Sequence, residues 1–88
     1  MGPVESKMLA YIKHRHDAGA LSVTADEILA AVIPPDQPKL RHKPAYRYGI
    51  QRLRVRSEIN AVDAPDGTTH YFIGDYPSND LRASLGLR

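Results

Sequence analysis

Eighty-eight residues support one small domain, which buries roughly 60–65% of its unfolded surface and has little room for a deep catalytic cleft. The chain is 42% hydrophobic and 25% charged, an ordinary globular balance, and it has no cysteine for disulfides or thiol chemistry, which fits a reducing cytoplasm. Net charge is only +2, yet residues 39–57 hold seven of the twelve Lys and Arg side chains and no carboxylate, leaving five basic against ten acidic groups elsewhere.

The first element is a predicted helix from Pro3 to Asp17. Val4, Met8, Tyr11, Ile12 and Arg15 recur on one face, with Leu9 beside them. Pro3 suits a first turn and Gly19 suits the stop. Ala20–Val23 alternates and is long enough for one short strand. Thr24-Ala25-Asp26-Glu27 is a capping box, in which the threonine hydroxyl and the glutamate carboxylate satisfy amides at the start of a second helix. Ile28, Leu29 and Val32 form its apolar stripe, and Pro34-Pro35 ends it.

Residues 33–43 contain three prolines and form a long connection. A third helix is predicted from Pro44 to residue 56 or 57. Tyr46, Ile50 and Leu53 lie at i, i+4 and i+7, a core-facing stripe. Arg47, Gln51 and Arg54 repeat that spacing one position on, about 100° around the helix. From Glu58 the period falls to two: one strand through Asp63, a turn at Ala64-Pro65-Asp66-Gly67, and a second strand from Thr69 to Ile73. Ser78 is placed to cap a last short helix carrying Leu81 and Leu85. The tail, residues 78–88, packs either back on helix one or against a second subunit.

This order of elements resembles the winged helix-turn-helix family. The resemblance covers roughly residues 4–74. It rests on Val23–Leu29 at the start of helix two, on Ile50–Leu53 in helix three, and on Asp66–Tyr71 at the hairpin. It implies an α+β winged-helix domain over residues 1–76, of three helices and a two- or three-stranded antiparallel wing, with 77–88 as a tail. In that family the third helix enters the major groove, and the hairpin tip lies along the backbone or minor groove. Two features depart from the pattern. The connection between helices two and three is long and proline-rich, and the hairpin carries Asp63 and Asp66 but no Lys or Arg between its strands.

The residues themselves fit that placement. Arg bridges guanine O6 and N7 and Gln bridges adenine, so Arg47, Gln51 and Arg54 are the expected base contacts. Lys39, Arg41, Lys43 and Arg52 suit phosphates. Tyr48 suits phosphate or sugar, or packing beneath the hairpin. The expected function is sequence-specific binding of double-stranded DNA by a transcriptional or phage-type regulator, as a homodimer on paired half-sites. The alternative is a winged-helix adaptor that binds a protein partner, which the acidic hairpin tip favours; RNA is a third partner for the same basic face.

Other signals carry less. His14 and His16 diverge by about 200° on a helix and cannot share one ion. Asp63–Gly67 lacks the alternating oxygen ligands of a calcium loop. No nucleophile–base pair, phosphate-cradling loop or paired carboxylates can be assembled, so neither enzymatic activity nor a cofactor is expected. The apolar stretches are too short for a membrane span, and no cationic-then-apolar leader pattern is present.

Overall fold

Helix α1 (Pro3–Asp17) opens with the proline in its first turn and buries Met8, Leu9 and Ile12, in a computed structural model that describes residues 1–87. It ends in a reversed turn: the Gly19 N–H donates to the His16 carbonyl and the Ala20 N–H to the Arg15 carbonyl. Gly19 takes φ 96° there, a left-handed conformation that costs glycine little.

Strand β1 is Val23–Thr24 rather than the expected 20–23. The cause lies in the preceding turn, which uses the Ala20 amide to finish α1 and delays the extended chain. Helix α2 (Ala25–Val32) starts on the expected capping box. Thr24 Oγ1 accepts from the Glu27 N–H at 3.3 Å, and Glu27 Oε1 accepts from the Thr24 N–H at 3.1 Å. The Ile33 N–H closes the helix on the Leu29 carbonyl, immediately before the two prolines.

The long connection is not structureless. Residues Pro38–His42 form a 3-10 turn, again with proline in the opening position. The predicted third helix is divided in two, α3 (Pro44–Arg47) and α4 (Gly49–Val55), by a jog at Tyr48 with φ −112° and ψ 0°. The jog lies beside Gly49, which faces Met8 of α1. A methyl group on Gly49 would stand 2.8 Å from Met8 Sδ, so any larger residue there forces the Met8 side chain to shift. Met8 is fully buried and has little freedom to swing aside.

Strands β2 (Asn60–Asp63) and β3 (Thr69–Phe72) form the expected hairpin, each slightly shorter than predicted. The three strands pair antiparallel in the order β1-β3-β2. Val23, Tyr71 and Ala61 stand in register on one face, and Thr24, His70 and Val62 on the other. At the hairpin tip the Ala64 N–H donates to the Thr68 carbonyl, and Asp66 Oδ1 accepts from the Thr68 N–H at 2.9 Å. That amide holds the Asp66 carboxyl below its ordinary range. Asp63 Oδ1 accepts from the Thr69 hydroxyl at 2.7 Å. Both aspartates are therefore used in shaping the turn.

Ser78 caps a fifth helix, α5 (Asn79–Ser84), through its hydroxyl on the Leu81 N–H. Leu81 is buried and lines one groove with His16, Ala20, Leu21, Phe72 and Ile73. Leu85 lies beside Ala64, Pro65 and His70 at the hairpin. The tail packs within its own chain over residues 79–85.

The described chain is thus a small α+β domain of five helices and one three-stranded antiparallel sheet. Met8, Leu9, Ile12, Val23, Ile28, Ile50, Leu53 and Ile59 make one continuous core, with Tyr46 and Tyr71 packed at its edge. Ile28 and Leu53 share this core, as the stripes on α2 and the third helix require. No helix among the described residues is long and apolar enough to cross a membrane.

Candidate nucleic-acid interface

Three local devices present the basic residues. The 3-10 turn and the residue after it expose Lys39, Arg41 and Lys43. Proline at the first turn of α3 then restarts the helical ladder at a position where an N–H would have no helical partner. Burial of Ile50 and Leu53 fixes which side of α4 faces out. Arg47 on α3, and Gln51 and Arg54 on α4, are consequently all exposed.

The jog at Tyr48 separates Arg47 from the other two, so the three do not lie on one unbroken helix. Tyr48 is exposed, and the Arg47 guanidinium lies over its ring at 5.3 Å from the centroid. This contact orients Arg47 while leaving its donors in water. Packing of Tyr48 beneath the hairpin, the other reading of this side chain, is not seen at a residue this exposed.

Among the described residues, Lys39, Arg41, Lys43, Arg47 and Arg54 enter no salt bridge. Arg52 differs from them. Its Nη1 lies 3.6 Å from Glu5 Oε1, and Arg56 Nη1 donates to Glu5 Oε2. Glu5 is only 6% exposed and is the one buried charged residue of the described chain. Two cations of the basic segment thus have a carboxylate partner supplied by α1, where the segment's own sequence offers none.

The sequence reading missed Glu5 and Arg56. A usable signal exists: Glu5 precedes Met8, Leu9 and Ile12 by three, four and seven positions, which puts it on the core face of α1. Its partner Arg56 is 51 positions away, and no local pattern couples them.

The remaining polar groups have simple partners. Ser22 Oγ and His70 Nδ1 are 3.1 Å apart across the outer face of the sheet. Arg15 Nη1 reaches both the Tyr11 hydroxyl at 2.8 Å and Glu27 Oε2 at 3.1 Å, tying α1 to the start of α2. Among the described residues no three His, Asp or Glu side chains converge as a metal site.

Comparison with protein-family models, curated protein sequences and solved structures finds no match to this chain.

Proposed function

We propose that this chain is a winged-helix domain that binds double-stranded DNA, with α3–α4 in the major groove. The observation that carries this reading is the set of exposed, unpaired cations on one continuous stretch: Lys39, Arg41, Lys43, Arg47 and Arg54, with Gln51 among them. Arg47, Gln51 and Arg54 have the donor geometry for base edges. Lys39, Arg41, Lys43 and Tyr48 lie in positions suited to phosphates. The order α1-β1-α2-α3/α4-β2-β3, with β3 in the middle of the sheet, supports the family reading. The role is regulatory occupancy of a DNA site in the cytoplasm, without catalysis. Two copies on paired half-sites extend the few base pairs that one domain covers.

A protein-binding adaptor is the second reading, and the acidic hairpin tip is what favours it. That support is weakened because Asp63 and Asp66 both serve the turn.

Selection from random duplexes, followed by competition with single-base variants of the selected site, tests the proposal. Arg54→Ala and Gln51→Ala should each erase roughly 1–3 kcal/mol of discrimination at one base pair. Lys13→Ala on the exposed side of α1 should change nothing. Failure to enrich any sequence, with equal binding by all variants, refutes base reading by α4.

A further inference from the structure

We infer that Glu5 withholds Arg52 and Arg56 from nucleic acid, so that DNA is met by five of the seven cations in residues 39–57. This inference rests on the DNA-binding reading and refines the use of the same surface.

A buried carboxylate stripped of water is stable only with its charge paired, and breaking such a pair is strongly unfavourable. Glu5 is enclosed on one side by the α1–α4 contact, where a methyl on Gly49 would lie 3.9 Å from its Cγ. Its two carboxylate oxygens are divided between the two arginines: Oε1 faces Arg52 and Oε2 accepts from Arg56. The Arg52 and Arg56 side chains are 42% and 44% exposed, so they lie between Glu5 and the solvent. A DNA phosphate that draws either arginine away from Glu5 leaves this buried carboxylate less than fully paired. Phosphates at the surface face no such opposition from Lys39, Arg41, Lys43, Arg47 or Arg54. The same carboxylate therefore fixes α4 against α1 and limits how strongly the segment attracts a polyanion.

Affinity for a mixed-sequence duplex, measured by fluorescence anisotropy across a salt series, tests this. Each phosphate contact contributes about 0.9 to the slope of log affinity against log salt. Arg52→Ala and Arg56→Ala should leave the parent slope unchanged. Glu5→Gln, which keeps the side-chain shape, should steepen it by about 0.9 for each arginine released. In the Glu5→Gln background, Arg52→Ala should then flatten it again. Circular dichroism establishes that each variant is folded; if Glu5→Gln is not, the two arginine variants alone decide. A parent slope flattened by Arg52→Ala or Arg56→Ala, or left unmoved by Glu5→Gln, overturns the inference while DNA binding stands. A parent with no salt-dependent affinity refutes the DNA-binding reading and this inference together.

Discussion

Leu53 and Ser57 show how unequally single residues hold the basic segment in place. Leu53 is fully buried in the shared core beneath α4. Leu53→Ala should cost roughly 2–5 kcal/mol in denaturant titration, since a cavity adds to the lost transfer energy. A loss below about 0.5 kcal/mol would mean that α4 does not depend on this contact. Ser57 has the opposite character. After α4 the Ser57 N–H donates to the Arg54 carbonyl and the Glu58 N–H to the Leu53 carbonyl, the same reversed turn that ends α1 at Gly19 and α5 at Gly86. Ser57 adopts φ 61° there without glycine's freedom. The left-handed penalty of about 1–2 kcal/mol exceeds the entropy glycine loses on folding, about 0.5–1 kcal/mol. Ser57→Gly should therefore stabilise the domain by up to about 1.5 kcal/mol, read as a higher denaturation midpoint. A lower midpoint contradicts the strain.

At the scale of elements, the capping box ties β1, α2 and α1 together through Glu27. Its carboxyl is held below the ordinary glutamate range, first by the Thr24 amide, then by the Thr24 hydroxyl and Arg15. A lowered folded-state pKa contributes stability above the unfolded pKa and loses it as pH falls through the folded one. Stability should thus decline on acidification below the usual glutamate range. Glu27→Gln should reduce that decline while keeping most of the cap at neutral pH, because glutamine also completes a capping box. Parallel pH–stability curves for parent and variant would contradict the role. The elements with local chemical signals were legible in the sequence: α1 from its stripe, α2 from Thr24 and Glu27, the hairpin from Asp66-Gly67, and α5 from Ser78. What was not legible depends on contacts distant in sequence. The spacing of Tyr46, Ile50 and Leu53 reads as one helix, and nothing in that spacing marks the jog at Tyr48. Arg52 reads as a surface cation until Glu5 arrives from α1. Of the expected interface, the exposure of Arg47, Gln51 and Arg54 was legible, because the core stripe fixes which side faces out; Lys39, Arg41 and Lys43 lie on or just after a 3-10 turn that this stripe does not orient.

At the scale of the molecule, charge is divided along the chain, with +7 on residues 39–57 and −5 on the rest. Such polarity orients a weakly charged domain toward a polyanion. Within residues 39–57, the two Glu5 ion pairs leave Lys39, Arg41, Lys43, Arg47 and Arg54 outside any salt bridge. The most direct measurement is the affinity of the parent protein for double-stranded DNA as salt is raised. With contacts confined to these five cations, DNA binding predicts a log–log slope of no more than about −4.5 per bound copy. It also predicts that Lys39→Ala, Arg41→Ala and Lys43→Ala each flatten the slope by about 0.9 without altering sequence preference. An affinity that is absent or indifferent to salt, with all three variants behaving as the parent does, would contradict DNA binding and leave the basic face to an acidic protein partner.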